Sequence, residues 1–514
     1  METLSAPHHD AATLDSRGNR QARAGCLLWL TLITVFAGVL RTLYLDSQGI
    51  TLDESYSIFL GRTSSANFFH SVWHSELNMV LYYLLLRGWM HFGHSEWLIR
   101  MLGVLLSTAT VPAIYFLARW LFDRRTGIVA ALLLAVHPYH LMLAQRARSY
   151  PLLILLVSLS SLCFVRGLQK PTWTTWGAFA TLSAAAVYSH FFAAFVILAQ
   201  LFSLVFLPRK LVPWNMLAVS LALLVALLLP FALFLLTNAT VSHVAWVPGF
   251  SLQHVRWVFY SLTLSKARCF TYVAVWCIAA WAAFRASSLD RRWPYQFTFA
   301  WLVVPLVLTI ATSLVQPLLI ERFLSLCIPA AVLLAAAGIL QLSRYSRPVA
   351  LVLLGLIIFY SGSAIRFYDR HPEFAEGWRE ASNFVLKRVQ PGDAVIAESL
   401  TGLTFDYYRD TLGAKLPPFA RWDSFTTPIQ APLPGNIWIL GSVRFNPNWK
   451  GAVPGSAEAE VRSFADAHRN RYCLALPNFD AGETRVWQFR LCPPPNNPPQ
   501  PSQLNPDRAS SPKQ

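Results

Sequence analysis

The chain has 514 residues, 55% of them hydrophobic and only 13% charged, with 19 Trp and 34 Phe. A soluble domain carries about 25% charged residues, so this composition excludes a soluble enzyme and points to a membrane protein with aromatic interfacial belts. The net charge of +16 sits mostly in short loops between apolar runs. That distribution orients a polytopic protein and argues against a nucleic-acid-binding surface.

In chain order, residues 1–25 read as a polar, disordered cytoplasmic leader, with Arg17, Arg20 and Arg23 just before the first apolar run. The run itself is too long for a signal peptide and lacks a small-residue cleavage site. Runs near the length needed to cross a bilayer, about 20 residues, recur at 26–45, 98–118, 127–144, 151–168, 174–190, 191–208, 213–236, 270–285, 296–315, 323–342 and 348–365. These predict about eleven membrane helices within a module spanning 26–365. With the N-terminus inside, each inner loop carries at least two basic residues, as in Arg119-Arg124-Arg125, Arg209-Lys210 and Arg344-Arg347. The outer turn at His190 carries none, and the one at Glu321 carries only Arg322. An odd number of spans then leaves the C-terminal part outside. Met79 to Phe92 is apolar but short and holds Arg87, so it reads as a helix lying in the interface. Residues 46–97 become one outer loop with two interfacial helices, about 54–66 and 78–92.

After the last span the composition turns mixed. Trp378 to Val389 reads as an amphipathic helix, Pro391-Gly392-Asp393 as a turn, and Ala394 to Glu398 and Ile437 to Leu440 as strands. Arg471 to Leu476 and Arg485 to Leu491 form a further pair around Asp480-Ala481-Gly482-Glu483, with Cys473 and Cys492 at its ends. Residues 366–492 are therefore expected to fold as a small extracytoplasmic α/β domain. The two cysteines can bridge in an oxidising compartment, although spacing alone does not decide it. Residues 493–514 are Pro-rich and expected to be disordered.

The polar groups gather on the outer face. Asp53 and Glu54 open the first outer loop, and Glu76 precedes its second helix. Gln145, Arg146, Arg148 and Tyr150 lie between two spans, His190 ends another, Lys266 precedes one, and Glu321-Arg322 lie between two more. Paired carboxylates at a membrane boundary need a partner or a task. The plainer reading is helix capping, with Thr51 or Asp53 as N-cap and Glu54 in the first turn. Arginines can likewise snorkel, His190 can be a satisfied core histidine, and Glu321-Arg322 can pair with each other. Together, acids beside arginines make a phosphate site with a general base.

The order Leu52-Asp53-Glu54-Ser55-Tyr56, Leu81-Tyr82-Tyr83-Leu84, Phe92-Gly93-His94-Ser95-Glu96 with Arg100, His137-Pro138, Gln145-Arg146-Ala147-Arg148-Ser149-Tyr150, Tyr188-Ser189-His190-Phe191 and Glu321-Arg322-Phe323 carries a resemblance, continued by Trp378-Arg379-Glu380-Ala381. It is similar to the bacterial GT-C glycosyltransferases of the dolichyl-phosphate-mannose protein mannosyltransferase and aminoarabinose transferase superfamily. The resemblance implies a GT-C fold and inverting transfer of one sugar from a polyprenyl-phosphate carrier to a protein, lipid or glycan acceptor outside the membrane. It implies Asp53 as general base, Glu54 placing it or holding the acceptor, Arg148 on the lipid phosphate, and His190 and Arg322 lining the same cavity. Tyr150, Glu76 and Lys266 stand as further substrate contacts. Relatives often carry an acid where Arg146 stands, so charge compensation by protein is favoured over a divalent ion. No cofactor is implied with certainty, and a metal is left open. Two rivals share the basic outer pocket or the apolar runs: a ligase or polymerase using a pyrophosphate-linked donor, and a non-enzymatic lipid or polysaccharide transporter.

Overall fold

The computed structural model describes residues 16–75, 77–237, 251–263, 266–370, 376–397, 399–412, 416–422, 435–442 and 457–492. By contacts the chain divides into two units, with the break at Arg379–Glu380 rather than at residue 366.

The first unit is helical. Helix α1 (Ser16–Thr42) already starts inside the stretch expected to be disordered. Where one 54–66 helix was expected there are two, α2 (Leu52–Arg62) and α3 (Ser65–Ser75). The break has a local cause: the Ser64 hydroxyl accepts the Asn67 N–H and caps a new helix. Helix α4 (Val80–Trp89) follows, with Tyr82, Tyr83 and Leu86 buried. Next come α5 (Glu96–Leu121), α6 (Arg124–Ala135), α7 (Pro138–Ala144), α8 (Tyr150–Gln169), α9 (Trp173–Ser189) and α10 (Ala193–Phe202). The unit continues with α11 (Trp214–Thr237), α12 (Leu252–Thr263), α13 (Lys266–Arg285), α14 (Leu289–Ser313), α15 (Ile328–Leu342) and α16 (Arg347–Arg370).

Among the described residues, 8 helices are long and apolar enough to cross a membrane, or 9 if α6 and α7, bent by 59°, count as one broken span. The other two expected spans are helical but short: α9 has 17 residues, and α10 continues as a 3-10 turn to Phe206. Each of the eleven apolar runs therefore has a helical counterpart.

The α6–α7 break is built around Arg41. Pro138 has no N–H to give the Leu134 carbonyl four residues earlier. Arg41, fully buried, donates instead to Leu134 O and Ala135 O at 3.1 and 3.0 Å, and its Nε reaches Ser107 Oγ at 2.7 Å. The negative end of α6 thus receives a cation. Gln145 Nε2 then donates to Arg41 O and Leu43 O, tying the turn after α7 to the end of α1. Gly103 lets that turn lie against α5, since a Cβ there would meet Ala144 O at 2.6 Å.

The second unit holds a five-stranded sheet of order β2-β1-β3-β5-β4, made of β1 (Ala394–Ile396), β2 (Ala420–Trp422), β3 (Asn436–Ser442), β4 (Tyr472–Ala481) and β5 (Thr484–Leu491). β1 runs parallel to β2 and β3, while β5 is antiparallel to β3 and β4, with Ile439 opposite Trp487. The helices α18 (Ser399–Leu412) and α19 (Ala457–His468) belong to this unit, and α17 (Trp378–Leu386) begins two residues before the break. Ile437, Ile439, Phe464, Trp487 and Phe489 form the core. Asp393 fixes the turn into β1, accepting from Gln390 N, Asn436 N and Trp438 Nε1. Cys473 and Cys492 are joined in a disulfide. The tail 493–514 lies outside the described residues.

Candidate active site

The site is assembled on the first turn of α2. Thr51 is its N-cap, accepting the Glu54 N–H, while Glu54 Oε2 accepts from Thr51 N at 3.0 Å: a reciprocal capping box. Capping therefore holds for Glu54, and the acid does more besides. Arg100 grips it in bidentate fashion, Nε to Oε1 and Nη2 to Oε2, both at 2.8 Å. Ala147 N adds 2.9 Å to Oε1. Arg100 also donates to Leu45, Gln48 and Gly49 carbonyls, so one buried knot joins the loop after α1, α2, α5 and the α7–α8 turn. Burial alone would raise the Glu54 carboxyl, but Arg100 and the converging N–H groups hold it at about 2. Fully buried and ionised, Glu54 fits the placing role rather than contact with an acceptor.

Asp53 is built differently. It lies one position earlier, about 100° round the helix, and its side chain stays 32% exposed. Arg322, from the turn Glu321–Cys327, donates to Asp53 Oδ2 at 2.8 Å. Arg322 thus pairs with Asp53, where the plainer reading paired it with Glu321. Arg148 Nη1 donates to the Asp53 carbonyl at 3.0 Å and lies 3.4 Å from Ser57 Oγ. The Ala147 anchor accounts for this reach: with its N–H fixed on Glu54, the neighbouring Arg148 is swung to α2.

Tyr150 and His190 close the group, their rings 5.9 Å apart. His190 is fully buried among Phe191, Phe192 and Phe323. Its Nδ1 accepts the Phe192 N–H at 3.3 Å, which assigns the proton to Nε2. Among the described residues, Nε2 has no hydrogen-bond partner, and neither has the buried Tyr82 hydroxyl. A buried donor without an acceptor suits an incoming anionic oxygen.

Of the expected site residues, the structure gathers Asp53, Glu54, Arg148, Tyr150, His190 and Arg322. Glu76 lies outside the described residues. Lys266 opens α13, and its side chain is outside them too. Among the described residues no three His, Cys, Asp or Glu side chains converge as metal ligands. Both acids of α2 are met by guanidinium groups, Asp53 by Arg322 and Glu54 by Arg100.

Three participants escaped the sequence reading of the site. Arg100 stood in a matching motif with no role. Tyr82 likewise carried none. Glu376, beyond the last membrane helix, accepts the Leu52 N–H at 2.8 Å. A charged residue opening an apolar run, as Arg100 does, is itself a signal that a partner must exist.

A sequence profile of the family described as dolichyl-phosphate-mannose-protein mannosyltransferase matches residues 78–235. Among solved structures, ArnT from Cupriavidus metallidurans bound to undecaprenyl phosphate has a TM-score of 0.59 and 15% identity, over 90% of this chain and 98% of that one. The apo form gives 0.61 and 14%, over 91% and 98%. The archaeal oligosaccharyltransferase AglB from Archaeoglobus fulgidus, in complex with an inhibitory peptide and a dolichol-phosphate, gives 0.51 and 14%, over 88% and 69%. No curated protein matches the chain in sequence. The fold is GT-C, a polytopic helical membrane protein followed by a small α/β unit. The profile match covers under a third of the chain, so residues 78–235 are similar to that family and the chain as a whole shares the GT-C fold.

Proposed function

We propose that the chain is an inverting glycosyltransferase that moves a single sugar from a polyprenyl-phosphate carrier to an acceptor hydroxyl on the outer face of a bacterial cytoplasmic membrane. The observation that carries this reading is the partly exposed Asp53 carboxylate paired with Arg322, with Arg148 on the Asp53 carbonyl and the buried His190 Nε2 donor packed beside Tyr150. A base and anion-binding donors meet at one end of the helix bundle.

Asp53 takes the acceptor proton as the new oxygen–carbon bond forms at the anomeric centre. The bond from that carbon to the phosphate oxygen breaks on the opposite face, and its electron pair leaves with the lipid phosphate. Arg148, Arg322 and His190 stabilise the departing anion, and Tyr150 lines the same space. Arg322 holds Asp53 before substrate arrives. A donor phosphate competes for that guanidinium and frees the carboxylate for the acceptor, which favours donor binding first. The carrier assignment is supported by the ArnT structure bound to undecaprenyl phosphate. Basic loops on one side and the Cys473–Cys492 disulfide support an N-terminus inside and an α/β unit outside.

The test is a glycan and lipid profile of cells carrying wild type, Asp53→Asn or no protein. One glycoconjugate short of a single sugar in both the variant and the deletion supports the reading and identifies the acceptor. A wild-type profile with Asp53→Asn overturns it in favour of a transporter. Arg148→Ala checks the phosphate grip: we expect a loss of about 10²–10³-fold in transfer rate, the scale of removing one preorganised donor, with weaker binding of undecaprenyl phosphate.

A further inference from the structure

The first N–H groups of a helix have no partner inside it. In α2 the capping box serves Thr51 and Glu54, and the Leu52 N–H, directly before Asp53, is one of those it does not serve. Glu376 supplies that partner from 324 positions away: its Oε2 accepts from Leu52 N at 2.8 Å and from Trp378 Nε1 at 2.9 Å. The segment that delivers Glu376 is itself anchored. Arg379 donates to Asp46 O at 2.7 Å and Gln48 O at 2.9 Å, and pairs with Glu96. The stretch 376–379 is thus tied at both ends to the loop that leads into α2.

We propose that Glu376 is a positioning residue for the general base: it holds the first turn of α2, and with it Asp53, in the orientation that meets the acceptor hydroxyl. The inference rests on Asp53 being that base. Glu376 thereby places a second carboxyl at the residue next to Asp53 in the chain. Burial holds this carboxyl above its usual range, against the pull of the Leu52 N–H, Arg146 and Trp378. Asp53 itself is faced by Arg322 on its carboxylate, Arg148 on its carbonyl, Tyr150, and Glu376.

Two substitutions separate geometry from charge. Glu376→Gln keeps an acceptor for the Leu52 N–H and removes the charge. Glu376→Leu removes both. In membrane vesicles, the readout is the rate of sugar transfer to whichever glycoconjugate the comparison of wild-type and deletion cells shows to be short of one sugar, followed against pH. Binding of undecaprenyl phosphate and recovery of folded protein are measured on the same preparations.

We expect Glu376→Leu to lose about 10²-fold in rate, the scale of a misplacement near 1 Å, with undecaprenyl phosphate binding unchanged. Glu376→Gln should lose less, because the amide oxygen still accepts the Leu52 N–H. A wild-type rate for Glu376→Leu overturns the inference. So does a rate loss matched by an equal loss of folded protein or of lipid binding in both variants. Asp53→Asn is run alongside. If it is inactive while Glu376→Leu is normal, only this inference falls. If Asp53→Asn keeps its full rate, the reading of the base falls with it.

Discussion

Glu54 has no exposed surface, and its two oxygens accept five hydrogen bonds, from Thr51 N, Thr51 Oγ1, Arg100 Nε, Arg100 Nη2 and Ala147 N. Asp53, one residue earlier, keeps 32% of its side chain exposed, with Arg322 at 2.8 Å. A carboxylate whose lone pairs are all engaged inside the protein cannot take a proton from an incoming group without breaking the knot. A half-exposed carboxylate with a displaceable partner can. The same functional group is thus held as scaffold at position 54 and left available at position 53. Burial and hydrogen-bond saturation draw the line between them.

The sharpest way to break this contrast is to remove each acid separately. General base catalysis contributes about 10²–10⁴-fold, so Asp53→Asn should lower transfer by that factor. The protein should stay folded, because the amide still accepts from Arg322. Equal loss of folded protein in Asp53→Asn would erase the distinction between the two acids.

Glu54→Ala should do the opposite and act through stability. Removing one partner of a buried ion pair costs about 3–5 kcal/mol, since Arg100 is left charged and buried. A large drop in the thermal midpoint in detergent is expected, with activity falling in step with folded protein. A Glu54→Ala protein that melts like wild type but transfers no sugar would make Glu54 a chemical group.

The same acid predicts an acid limit. Its folded carboxyl is held at about 2, below its ordinary 4.5. A depressed carboxyl contributes stability that is fully present above the unfolded value and is lost as pH falls through the folded one. The thermal midpoint should therefore decline between about pH 4.5 and about pH 2, and Glu54→Gln should flatten that decline. A wild-type midpoint unchanged over this window would sink the assignment.

How much of this could be read from the chain depends on the distance along it. The eleven apolar runs are local signals, and each became helical. The α9 and α10 runs fell short as helices because polar turns and a 3-10 segment interrupt them. The break between α2 and α3 turned on one hydroxyl, Ser64, which any sequence window dilutes. Asp53, Arg148, His190 and Arg322 were legible because polar groups at span ends are few and must converge on something. Arg100 and Glu376 were not legible as partners, because their contacts cross 46 and 324 positions. Arg146 shows the limit from the other side. The sequence offered it no acid nearby, and the carboxyl whose charge it influences, Glu376, comes from beyond the last membrane helix.

The smallest effect concerns the cap itself. Thr51 accepts the Glu54 N–H at 3.3 Å and donates its hydroxyl to Glu54 Oε2 at 3.1 Å. Loss of an N-cap side chain typically costs about 1 kcal/mol. In Thr51→Ala the backbone N–H of residue 51 still reaches Glu54, and the Arg100 and Ala147 bonds remain. The thermal midpoint should fall by much less than in Glu54→Ala, and transfer should drop only slightly. If the two variants are equally damaged, the cap and not the buried ion pair holds α2. The first turn would then need its full capping box, rather than the Arg100 knot, to present Asp53.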